Sequence, residues 1–238
     1  MSLSNIAIFG DSFCSLNSQS KYSWPNQLAE LTNAKITNFG LPSTSILWSY
    51  KQLVEVVDQY DWVIWCVSSI QRITINLPVE PWSVHYNGPG CWKNFKSPPV
   101  IDLLKTADDF FLKVDFYQDL NLLYNTLVTT TLDRYSNLTV IPCFEEPLDV
   151  KNYLAKISQL EVESLTNTSY TQVYEKYQDH RPCHLTPQNN RILAKSIAKQ
   201  NGKKIIEVNI NDFNFSHSKK DFNNYFTLVQ NAGMNGDK

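Results

Sequence analysis

Ile6-Ala7-Ile8-Phe9-Gly10-Asp11-Ser12-Phe13 is a strand that stops abruptly. Four apolar residues suit a buried strand, and a small residue followed by Asp and Ser breaks it. The break leaves the Ser12 hydroxyl just beyond the strand's carboxyl end, the edge where open α/β sheets bind ligands. A serine there is a candidate nucleophile if the chain also supplies a base and donors for a developing oxyanion.

Outward from this stretch, strands and helices alternate. Asn5–Phe9 is followed by a helix over Tyr22–Leu31, with Trp24, Leu28 and Leu31 at helical spacing and Ser23-Trp24-Pro25 at its start. That start reads as a cap followed by a first-turn proline. A second strand, Ala34–Phe39, precedes a helix over Thr44–Val57 with Ile46, Leu47, Tyr50, Leu53, Val54 and Val57 on one face. Trp62–Val67 is wholly apolar, as in a buried parallel strand. A long helix over Asp115–Tyr135, a strand at Leu138–Phe144, a weaker strand at Leu160–Leu165, a helix from Thr186-Pro187 and an edge strand at Lys204–Val208 complete the pattern.

This alternation predicts an α/β fold, a three-layer α/β/α sandwich around a mainly parallel, doubly wound, flavodoxin-like sheet. One domain is expected over 1–210, followed by a polar tail over 211–238. Ile73–Lys113 stands apart as an insertion rich in Pro, Gly and aromatics, among them Trp82, Tyr86 and Trp92. Connections of that length are usually functional. Its aromatics suit either stacking on a sugar ring or packing of the segment onto the body.

Composition narrows the partners. The 238 residues are 42% hydrophobic and carry a net charge of −2, which offers no footprint for nucleic acid. Five cysteines (Cys14, Cys66, Cys91, Cys143, Cys183) show no CxxC spacing and read as reduced thiols of an intracellular protein. No signal peptide or membrane span is read, so a cytoplasmic location is expected. No P-loop or Gly-x-Gly-x-x-Gly follows a strand, and no clustered Cys/His set exists, so no cofactor or metal is expected.

Of four histidines, His184 is the best-placed base, in a loop just before the last amphipathic helix. A thiol nucleophile at Cys14 is the lesser alternative. Asp11 is expected to organise the turn through its side chain, and Trp24 to lie in the core.

At these residues the chain resembles the SGNH (GDSL-type) hydrolases. Gly10-Asp11-Ser12 is similar to the family's nucleophile block, and His184-Leu185-Thr186-Pro187 to its histidine block before a terminal helix. The resemblance spans roughly residues 5–200 and implies a Ser–His acyl-enzyme mechanism acting on a small ester. Asn38-Phe39-Gly40-Leu41-Pro42-Ser43 stands at the second block, with Ser43 at the family's glycine and Gly40 three residues earlier. Either backbone N–H is then an oxyanion donor. The third block, Gly-x-Asn-Asp, is replaced by Cys66-Val67-Ser68-Ser69-Ile70-Gln71-Arg72. Losing one oxyanion donor typically costs about 3 kcal/mol, so Ser68, Ser69, Gln71 or Arg72 must compensate. Arg181 replaces the family's Asp three residues before the histidine; Asp179 is the candidate to orient the imidazole, or a backbone carbonyl leaves a dyad.

The resulting expectation is a serine esterase for a small ester, such as an O-acetyl group on a carbohydrate. Transfer to an alcohol instead of water stays open. The alternative is a catalytically weak SGNH-like domain that binds a glycan or protein partner through the 73–113 insertion.

Overall fold

The computed structural model describes residues 5–14, 23–41, 44–70, 72–76, 83–86, 93, 96–113, 117–143 and 187–206. Four parallel strands, β1 (Asn5–Phe9), β2 (Lys35–Asn38), β3 (Trp62–Val67) and β6 (Leu138–Pro142), form a sheet in the order β2-β1-β3-β6. Ala7 lies beside Thr37 on β2 and Val63 on β3, and Trp65 pairs with Val140 on β6. Beyond β6, Ile205 makes a parallel bridge to Val140 within the expected edge strand, of which residues 207 and 208 lie outside the described residues.

Period-two side chains divide the core into two layers. Ile6, Ile8, Trp62, Ile64 and Cys66 face one side, where α1 (Trp24–Thr32) and α5 (Pro187–Lys199) contribute Leu28, Leu193, Ala194 and Ile197. Ala7, Phe9, Val63, Trp65 and Val67 face the other, against Leu53 of α2 (Ile46–Val56) and Val128 and Leu132 of α4 (Tyr117–Arg134). The expected three-layer sandwich is therefore the fold. Both faces of β3 are covered, which is why its six residues are all apolar and all buried.

Polar groups fix the packing within the sheet and between layers. Trp62 donates its indole N–H to Thr139 Oγ1 (2.8 Å), and Trp65 donates to Ser49 Oγ (2.9 Å). Lys204 Nζ donates to the carbonyls of Leu132 and Tyr135 at the end of α4, satisfying groups a helix terminus leaves open.

The 73–113 insertion carries secondary structure of its own. It holds an antiparallel hairpin of β4 (Ile73–Asn76) and β5 (Ser83–Tyr86) and then a 16-residue helix, α3 (Pro98–Lys113). Pro98 and Pro99 read as loop residues in sequence, yet proline is tolerated in a helix's first turn, where its missing N–H has no partner to lose. Val100, Leu104 and Asp108 then form the buried stripe. Trp82, Trp92, the Leu160–Leu165 strand and the 211–238 tail lie outside the described residues.

Candidate active site

Gly10 ends β1 with a φ of +141°, a conformation that L side chains rarely adopt. A Cβ there would stand 2.5 Å from the Cys66 carbonyl oxygen, so the glycine also permits close approach to β3. Asp11, fully buried, then folds the chain over: its Oδ1 accepts the Phe13 N–H at 2.9 Å, and its carbonyl accepts the Cys14 N–H at 3.2 Å. These two bonds bracket Ser12, which is half-buried in the bend. Asp11 thus organises the turn, as its residue type suggested.

The second carboxylate oxygen of Asp11 accepts from Arg72 Nη1. Arg72 follows β3, so the pair ties the ends of the two central strands together. The order β2-β1-β3 makes this the topological switch point, where connections leave in opposite directions and where open α/β sheets bind their ligands.

β2 closes the third side. Asn38 Nδ2 donates to the Cys14 carbonyl at 2.6 Å, while its Oδ1 accepts the Gly40 N–H at 2.7 Å. The Leu41 N–H and the Thr44 hydroxyl both reach the Gly10 carbonyl at 3.1 Å. Ser68, 2% exposed, donates its hydroxyl to the Thr44 carbonyl at 3.0 Å. Ser69 is buried, and its carbonyl accepts the Arg72 N–H at 3.1 Å.

Several expectations change in this geometry. The Gly40 N–H is engaged by Asn38, so it is not an open oxyanion donor. The Ser68 hydroxyl is spent on bracing Thr44, and Arg72 pairs with Asp11 through Nη1. Asn38 was legible only as part of a sequence pattern, yet it links the ends of β1 and β2; an Asx side chain two residues before a glycine was the available signal. Ser12, Gly40, Ser68, Ser69 and Arg72 converge at this end of the sheet. His184, Asp179, Ser43 and Gln71 lie outside the described residues.

Cys14, Cys66 and Cys143 pack in one core layer beneath the turn, all as free thiols. Cys14 is fully buried and its Sγ donates to the Asp11 carbonyl at 3.3 Å, which removes it as a nucleophile. Burial, then the neighbouring Cys14 and Cys143 thiols, pushes Cys66 well above the ordinary thiol range. Burial likewise raises Cys143. Both stay protonated and unreactive. Among the described residues, no His, Cys, Asp or Glu cluster is arranged to hold a metal ion, and no helix is long and apolar enough to cross a membrane.

No family model and no curated protein sequence matches the chain. Solved structures do match. One, described as a lipolytic protein of the G-D-S-L family from Desulfitobacterium hafniense DCB-2, is 12% identical, with 95% of this chain and 99% of that one covered and a TM-score of 0.35. The psychrotrophic esterase EstA from Pseudoalteromonas sp. is also 12% identical, covering 83% of this chain and 95% of its own, with a TM-score of 0.37. The acetyl xylan esterase AlAXEase is 13% identical over 97% and 99% of the two chains, with a TM-score of 0.34.

Proposed function

We propose that the protein is a serine hydrolase that cleaves a small ester, with Ser12 as nucleophile. The observation that carries this reading is the built turn: a glycine at φ +141°, a fully buried Asp11 bracketing Ser12, and a cross-strand arginine, all at the switch point of the sheet. A chance Gly-Asp-Ser bend needs no buried ion pair to hold it.

In the proposed reaction His184 takes the Ser12 proton as Oγ attacks the ester carbonyl. The tetrahedral oxyanion is held by the Ser12 N–H and, with Gly40 engaged, by the Ser43 N–H. His184 returns the proton to the departing alcohol, leaving an acyl-serine. Water, deprotonated by His184, then releases the acid. Asp179 is the proposed partner of the imidazole, and an O-acetylated carbohydrate is the proposed substrate class.

Labelling with a fluorophosphonate and turnover of p-nitrophenyl acetate test this reading. Wild type should label and turn over; Ser12→Ala should do neither, and His184→Ala should lose on the order of 10³-fold or more in kcat. Equal behaviour of wild type and Ser12→Ala would refute it. A second reading, a catalytically weak binding domain, is favoured by the engagement of the Gly40 N–H and the Ser68 hydroxyl. It predicts labelling no faster than that of a surface serine.

A further inference from the structure

Helix α1 begins next to the Ser12 turn and is capped in an unexpected way. Ser23 stands at its N-cap, yet its hydroxyl accepts no bond from the first turn. Instead the Trp24 N–H, one of the donors a helix start leaves open, donates to Asn190 Oδ1 of α5 at 2.9 Å. The partners are 166 residues apart in sequence. From the same residue, the indole N–H donates to the Phe13 carbonyl at 2.7 Å, one residue beyond Ser12. The ring is 1% exposed and packs in the core layer that holds Cys14, Leu193 and Ala194.

Trp24 therefore holds the nucleophile's turn with its side chain and α5 with its backbone. His184 precedes Pro187, the first residue of α5, by three positions in sequence. We infer that Trp24 and Asn190 are positioning residues for catalysis, a bracket that sets the start of α5, which His184 precedes by three residues in sequence, against the Ser12 turn. This rests on the serine-hydrolase reading above. A cap supplied by Ser23 would stabilise α1 equally well but would leave α5 unlinked to the turn. The cap drawn from Asn190 does both.

The test uses Asn190→Ala, Asn190→Asp, Trp24→Phe and the Asn190→Ala/Trp24→Phe pair in the full chain, with p-nitrophenyl acetate as substrate. Small misplacements of reacting groups cost up to roughly 100-fold, so each of Asn190→Ala and Trp24→Phe should lower kcat about 10- to 100-fold with KM within about twofold. Because both act through one bracket, the double variant should be little worse than either single one. Asn190→Asp keeps an acceptor at a helix N-terminus and should recover kcat to within about threefold of wild type. Asn190→Ala leaves the core ring in place and serves if Trp24→Phe fails to fold. Folded variants with wild-type kcat and only a lowered Tm would overturn the inference, as would losses that multiply. A wild type that neither labels nor turns over would instead refute the hydrolase reading, and catalytic positioning with it.

Discussion

The turn after β1 and the segment after β3 lie side by side at one end of the sheet but are held in different ways. Between Gly10 and Cys14 the bend itself is shaped locally, by a backbone conformation reserved for glycine, an Asx bond two residues long and a bend three residues long, and neighbouring elements then bond to its carbonyls. Between Ser68 and Arg72 the side chains reach away, Ser68 to Thr44 and Arg72 to Asp11. A site of this kind combines a locally built turn with a neighbour that props it from outside.

The largest expected effect breaks the local half. In Gly10→Ala a methyl group would meet the Cys66 carbonyl at 2.5 Å and its Cβ at 2.6 Å. Overpacking of about 1–3 kcal/mol and backbone strain of about 1–3 kcal/mol together reach as much as about 6 kcal/mol. The urea midpoint should collapse; a variant of near wild-type stability would mean that the turn is not as tight as described.

Breaking the long-range half comes next. Arg72→Met strands a buried carboxylate and should destabilise by about 3–5 kcal/mol. Asp11→Asn combined with Arg72→Met should regain about 2 kcal/mol or more, since the amide still accepts the Phe13 N–H without an unpaired charge. Denaturant midpoints at constant m-value measure both, and additive losses would show that the two side chains act separately.

A smaller effect separates bracing from chemistry. Ser68→Ala removes one buried donor and should cost about 1–2 kcal/mol, with kcat for p-nitrophenyl acetate within about threefold of wild type. A large loss of kcat at unchanged stability would return Ser68 to the oxyanion site.

The smallest effect is a pH dependence beneath the turn. Burial raises Cys66 and Cys143 above their ordinary value of 9.0. Because the folded pKa lies above the unfolded one, the unfolded state releases protons first as pH rises past 9. The associated stability is fully present below pH 9 and is lost toward the folded pKa. Unfolding free energy should therefore fall between pH 9 and 10. Cys66→Ala should flatten the slope by about 1 kcal/mol over that unit; an unchanged slope would show that Cys66 is not protected.

Much of the sheet was legible because its signals are local. An apolar run as long as Trp62–Val67 has few other places to go, and Gly10-Asp11-Ser12 marks a bend by conformational preference and hydrogen bonding within three residues. The helix at Pro98–Lys113 was not legible, because its two prolines imitate loop chemistry while occupying a first turn. Asn38 looked like one element of a pattern; its two bonds, to Cys14 and Gly40, depend on where β2 is laid against β1.

By itself the sequence determined the alternation of strands and helices, the two-sided burial of β3 and the bend at Ser12, since each follows from side-chain periodicity or from a residue's own backbone preferences. Only the tertiary structure decided that Arg72 would pair with Asp11, that Gly40 would be engaged by Asn38, and that Asn190 rather than Ser23 would cap α1. Those partners are separated by anything from two residues to 166. Even the nearest of them serves a bond network that spans strands. Such choices are settled by competition among donors and acceptors that become neighbours only once the sheet has formed, and composition carries no record of which one wins.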